Sequence, residues 1–251
     1  MLNPMDLTGK KILVAGVSSS IGEQIVYRML DLGASLCLVD RDKEKLEEIS
    51  HSSDSPFLDY RVFDIYSNEA IESNFKEINR EFGVFDGFVF SGGMGGVRPL
   101  SFTKQNFLHE MMNANLYSFI EMVRCITKKD CFKEGGSIVA ISSVSSIRGL
   151  KSKTVYSASK AALDASIKNM AAELANKRIR VNSILKGWVT SDLQQDFIKS
   201  NMELNADDDF KKQVLGAIEP VEIANTVAFL LSDATKTMTG TNLLLDGGYT
   251  L

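Results

Sequence analysis

Short apolar runs alternate along this chain with longer segments in which apolar residues recur every three or four positions. Lys11–Ala15 and residues 35–39, 60–63, 87–90, 137–142, 180–185 and 242–245 are nearly continuous apolar stretches, as expected for strands covered on both faces. Between them, Ile25, Met29 and Leu32 keep helical spacing. Residues 43–49 read as a charged helix, and 67–82 as an amphipathic one capped by Ser67. Longer helices are expected from about 104 to 128, carrying Asn115, from after Gly149 to about 176, and from Pro220 to near Leu231. This alternation predicts a single α/β domain over residues 1–251: a Rossmann-type doubly wound parallel sheet of about seven strands with helices on both faces. One polar stretch with weak periodicity interrupts the pattern, and it contains Asp207, Asp208 and Asp209. A substrate lid at about 190–213 is the expectation there, with a passive insertion as the alternative.

Composition narrows the function. The chain has 251 residues, 44% hydrophobic and 24% charged, enough for a core that needs no disulfide staples. Its net charge of −4 gives no electrostatic case for nucleic acid or an anionic membrane. No apolar run reaches a membrane span, and the first residues lack the pattern of a signal peptide. Three cysteines without a CxxC fit reduced thiols and a cytoplasmic protein, Cys37 being a packing residue within a strand. His51 and His109 stand far apart without metal-ligand spacing, so no metal site is expected. Proton chemistry then falls to Tyr, Lys, Asp, Glu or Ser.

The first strand ends in Gly16-Val17-Ser18-Ser19-Ser20-Ile21-Gly22 and a helix follows, a context in which backbone N–H groups and a helix N-terminus receive a pyrophosphate. The second strand ends in Asp40-Arg41. An acid about twenty residues beyond such a turn accepts hydrogen bonds from a ribose 2′-hydroxyl and repels a 2′-phosphate, favouring NAD(H) over NADP(H). Arg41 pulls toward NADP(H), and a solvated ion pair is the bland reading of both residues. Ser91-Gly92-Gly93-Met94-Gly95-Gly96 follows the fourth strand, where backbone passes close to a cofactor or simply turns. Tyr156 and Lys160 stand four apart at a helix start and share one face. A phenol beside a fixed cation can exchange a proton near neutral pH, although the pair alone reads more readily as packing and a snorkelling lysine.

In order and spacing these motifs resemble those of the short-chain dehydrogenase/reductase family over nearly the whole chain, from Lys10 to Gly248. The resemblance rests on Tyr156-Ser157-Ala158-Ser159-Lys160, on Ser143 thirteen residues earlier, on Asn115, on the glycine turn and on Asp246-Gly247-Gly248. It implies that Tyr156 is the general acid/base. Lys160 would lower the Tyr156 pKa and hold the nicotinamide ribose, Ser143 would bind the substrate oxygen, and Asn115 would anchor a relay water through its helix backbone. Cofactor contacts implied are Gly16, Ser18, Ser19, Ser20, Ile21, Gly22, Asp40, Arg41, Asp64, Ile65, Ser91, Gly92, Gly93, Gly187, Val189 and Ser191, besides Tyr156 and Lys160. A homotetramer is implied as well, with a dimer as fallback.

Three positions depart from the family pattern. Ser20 replaces a glycine of the turn, which would tighten or re-angle the backbone. Phe90-Ser91-Gly92-Gly93 replaces Asn-Asn-Ala-Gly and removes its bracing hydrogen bonds. Lys186 replaces proline before Gly187 and is expected as a solvated charge, with a pyrophosphate or substrate anion as its alternative partner. The expected function is hydride transfer between a nicotinamide cofactor and a secondary alcohol or ketone. The rivals are an NADPH-dependent 3-oxoacyl-[acyl-carrier-protein] reductase and a non-catalytic dinucleotide sensor. Arg98, Arg148 and Lys186 are expected around the pocket mouth, which would favour an anionic substrate.

Overall fold

The computed structural model describes residues 3–53, 55–190 and 211–251. Seven parallel strands run in the order β3-β2-β1-β4-β5-β6-β7. They are β1 (Lys11–Ala15), β2 (Ser35–Asp40), β3 (Leu58–Val62), β4 (Phe85–Phe90), β5 (Phe132–Ser143), β6 (Arg180–Lys186) and β7 (Asn242–Leu245). The helices are α1 (Ser20–Asp31), α2 (Lys43–Ser53), α3 (Asn68–Phe82), α4 (Gln105–Met112), α5 (Ser118–Ile126), α6 (Thr154–Glu173) and α7 (Pro220–Leu231). The doubly wound sheet expected from the alternation is the one found.

Period-two alternation divides each strand between two cores. Leu13 and Ala15 of β1, Phe88 and Phe90 of β4, and Ile138 and Ala140 of β5 pack with α3, α5 and α6, with Phe119 against both β4 rings. Ile12, Val14, Val89, Val139 and Ile141 face the other way, toward α1, α2 and α7. Cys37 lies in the first core, and burial pushes its thiol up to about 12, so it packs rather than reacts.

Two boundaries differ from expectation. β5 begins at Phe132, because the chain passes Gly135 at a positive φ of 78° and rejoins β4 after a register shift between Phe85 and Gly87. The long helix at 104–128 is not uniform. A π-helical turn, Asn113–Tyr117, joins α4 to α5, and Asn115 sits at its centre, fully buried.

The connections run from β1 through β2 to β3 on one side of β1, then return to place β4 on the other side. At that switch, the carboxyl ends of β1 and β4 open a crevice outside the sheet. The turns there touch. Gly16 has φ 84°, and a Cβ on it would lie 2.3 Å from the Gly92 amide nitrogen, so only glycine fits.

Candidate active site

Residues 18–21 line a cavity of about 680 Å³ at this crevice, together with Ser91, Gly92, Gly93, Asn115, Ser143, Tyr156, Lys160, Lys186 and Gly187. That volume lies within the roughly 300–1,000 Å³ usual for ligand and cofactor sites. Ser19 caps α1, its hydroxyl accepting from the Gly22 amide at 3.1 Å, and Ser20 opens the helix. The serine in place of glycine therefore leaves a regular, capped helix start, with Ser18, Ser19 and Ser20 on the cavity wall.

Asp40 ends β2 and is buried, with both oxygens fixed by backbone. Oδ2 accepts from Ser18 N at 3.0 Å and Oδ1 from Asp42 N at 3.1 Å. Arg41 lies 5.5 Å from the Tyr66 ring centroid. The Tyr66 hydroxyl accepts from Gly93 N at 3.0 Å and lies 3.3 Å from Gly93 O, while Asp64 Oδ1 accepts from Tyr66 N. Ile65 is buried beneath Gly92. Gly16, Gly22, Asp40, Arg41, Asp64, Ile65 and Val189 thus stand behind or beside the cavity rather than on its wall, and Ser191 lies outside the described residues.

The loop after β4 is braced by other means than the family's asparagines. Ser91 N continues the ladder to Ala15 O at 2.8 Å. Asn115 Oδ1 accepts from Met94 N at 2.8 Å, and its Nδ2 donates to Met94 O at 3.0 Å and to Ser159 Oγ at 2.9 Å. With Tyr66 on Gly93, these bonds hold the glycine loop from two sides. Sequence reasoning missed Tyr66 and Met94, since nothing local marks partners that are brought together by the fold.

Ser143 ends β5, and its Oγ both donates to Ser145 Oγ at 3.1 Å and accepts from Ser145 N. Tyr156 and Lys160 project from the first turns of α6 into the same cavity. Burial raises the Tyr156 phenol above its ordinary pKa, and a hydrogen bond with Ser143 works against that rise. Burial first, then repulsion from Lys186, holds the Lys160 ammonium down at about 7. Lys160 donates to Ile141 O at 2.8 Å. Burial thus sets the direction of the phenol's shift, and the Lys160 ammonium, itself desolvated, is turned onto a backbone carbonyl.

Lys186 is not the solvated charge expected. It is half-buried on the cavity wall, and burial together with Lys153 holds its ammonium at about 8. Arg98 and Arg148 do not line the cavity. Arg98 lies 3.9 Å from the Phe107 ring centroid, and Arg148 donates to Tyr249 O and lies over the Tyr249 ring. Lys153, unremarked in the sequence although one turn before Tyr156, does line it, as does Trp188. Among the described residues no His, Cys, Asp and Glu group could hold a metal, and no helix is long and apolar enough to cross a membrane.

The arrangement fits a nicotinamide dinucleotide: a capped helix N-terminus and serine-rich turn for phosphates, a backbone-fixed carboxylate for a ribose, and a phenol, hydroxyl and amine at the far end. A family model described as enoyl-(acyl carrier protein) reductase matches residues 16–250. The chain is similar to L-xylulose reductase of Caenorhabditis elegans, at 33% identity over 97% of each chain. It is also similar to 3-oxoacyl-[acyl-carrier-protein] reductase FabG of Vibrio harveyi, at 29% identity over 97% of this chain and 98% of the relative. A solved short-chain dehydrogenase/reductase of Brucella melitensis, described as glucose/ribitol dehydrogenase, superposes with a TM-score of 0.89 at 26% identity, covering 98% of both chains.

Proposed function

Since the chain belongs to the short-chain dehydrogenase/reductase family, we propose that it interconverts a secondary alcohol and its ketone with NAD(H), using Tyr156 as the proton donor and acceptor. Membership makes it an oxidoreductase acting on CH–OH or carbonyl groups with NAD(P). The observation supporting the finer reading is the convergence of Ser143, Tyr156 and Lys160 on the cavity that also receives the serine-rich turn.

A nicotinamide held here would supply or accept the hydride. The Tyr156 phenol gives its proton to the carbonyl oxygen, or takes one from the hydroxyl, and its raised resting pKa keeps it protonated for reduction. The Ser143 hydroxyl donates to the same oxygen as negative charge develops there. Lys160 would hold the ribose hydroxyls from the wall it shares with Tyr156. The Asn115 side chain is already engaged with Met94 and Ser159, which leaves its main chain to position a relay water.

The choice of NAD(H) is supported by the Asp40 carboxylate, held at the end of β2 by Ser18 N and Asp42 N, because an acid at that place in the fold repels a 2′-phosphate. An NADPH-dependent 3-oxoacyl-[acyl-carrier-protein] reductase is the second reading, supported by exposed Arg41 beside Asp40 and by the naming of several relatives. A cytoplasmic homotetramer is proposed, joined along α4, α5 and α6, where Leu108, Tyr117 and Ile120 are exposed. The test is a panel of secondary alcohols and ketones followed by nicotinamide absorbance with both cofactors. Turnover is expected, with NADH binding the tighter. Tighter NADPH binding refutes the cofactor preference, and silence across the panel would revive the dinucleotide sensor without proving it.

A further inference from the structure

Lys186 is the register partner of Ser143 across β5 and β6, so the two backbones lie about 4.8 Å apart at the carboxyl end of the sheet. Its ammonium makes no hydrogen bond or ion pair among the described residues, although it is half-buried in the catalytic cavity. The turn that presents it is held firmly. Gln213 accepts from Trp188 N at 2.9 Å and donates to Trp188 O at 3.0 Å, and Gly187 N donates to Leu245 O. Two further lysines line the same end of the cavity: Lys160, and Lys153, which lies 5.0 Å from the Trp188 ring centroid. Among the described residues the one acid on the wall, Glu23, is in an ion pair with Lys45 at 3.1 Å. Asp164 is the carboxylate nearest in effect; it is buried behind Lys160, takes a hydrogen bond from Ser183, and acts on Lys160 and Tyr156. A half-buried ammonium next to like charges is costly unless an anion completes it.

We propose that Lys186 is an anion receptor at the substrate end of the pocket, and that the substrate is a short oxo acid or hydroxy acid whose carboxylate lies close to the reacting carbon. This rests on the oxidoreductase reading for the identity of the reacting carbon, but not for the binding of the anion. Lys186 at about 8 and Lys160 at about 7 are both held below their ordinary values, and a carboxylate between them would restore their charge. The adjacency of Lys186 to Ser143, rather than to the serine-rich turn, favours a substrate anion over the cofactor pyrophosphate.

Trp188 is the only tryptophan and lines this end of the cavity, so its fluorescence reports occupancy without turnover. Acetoacetate and methyl acetoacetate, titrated against the protein saturated with NAD+, form unreactive complexes and differ in charge and by one methyl group. The acid is expected to bind at least about tenfold tighter than the ester, a preference that Lys186→Met abolishes and Lys186→Arg keeps, with the affinity for NAD+ changed less than about twofold. Equal binding of acid and ester by the unsubstituted protein overturns the proposal. So does a Lys186→Met variant that loses NAD+ affinity while keeping the acid preference, because the lysine then reads the cofactor. Acid preference without hydride transfer from NADH would leave the receptor standing and sink the oxidoreductase reading instead.

Discussion

The Asn115 side chain and the Met94 peptide grip one another twice, Oδ1 accepting from Met94 N at 2.8 Å and Nδ2 donating to Met94 O at 3.0 Å. This clamp, made from inside a π turn, holds the glycine loop against the catalytic helix. Asn115→Ala would strand buried polar groups on both sides and is expected to cost about 2–3 kcal/mol in urea unfolding, along with weaker NAD+ binding. Wild-type stability and affinity in this variant would show that the loop is held by Tyr66 alone.

Tyr156→Phe removes the proton and little volume. A fall in kcat/KM of roughly 10²–10⁴ is expected, with NAD+ affinity unchanged in a fluorescence titration. Activity within twofold of the parent would remove Tyr156 from the chemistry.

Asp40 anchors Ser18 and Asp42, and under the proposed function its charge discriminates between cofactors. Asp40→Asn cancels the charge. The ratio of NADPH to NADH dissociation constants is expected to move at least about tenfold toward NADPH. An unmoved ratio, measured by calorimetric titration, would take discrimination away from this carboxylate.

Lys160 and Lys186, at about 7 and about 8, lie below their ordinary values, so between those values and about 10.5 the folded chain binds fewer protons than the unfolded one. Stability then rises with pH across that window, until tyrosines, including Tyr156 with its raised pKa, begin to reverse it near pH 10. Lys186→Met removes a penalty that is full below about pH 8. Its Tm is expected to exceed the parent's at pH 7, at about 2–4 °C per kcal/mol gained, and the gap should close toward pH 10. A gap that widens with pH, in scanning calorimetry, contradicts the burial of this ammonium.

The sheet and the meeting of Tyr156 with Lys160 on one cavity wall were legible because both rest on short periods: two along each strand, and four between the two residues. Other features depended on contacts between distant segments. Arg98 and Arg148 were expected at the pocket mouth by charge, but each found an aromatic ring, Phe107 and Tyr249, that no local pattern announces. Gly135 and Gly136 read as a strand boundary, whereas β5 carries them within it by adjusting register against β4. The family's missing loop asparagines left no trace of what replaces them, because Tyr66 follows β3, with α3 and β4 between it and Gly93 in the chain, and meets Gly93 only once the sheet is wound.

The π turn at Asn113–Tyr117 holds one residue more than an α-helical turn needs, and its wider winding absorbs that residue while α4 and α5 keep their phase. Removing one residue there would leave ordinary α-helix, with Phe119, Met122, Val123 and Ile126 keeping their seats against the sheet. What would change is the bulge that carries Asn115 to the Met94 peptide. A single-residue deletion would therefore be silent in the core and felt at the glycine loop, so the extra residue serves the clamp rather than the packing.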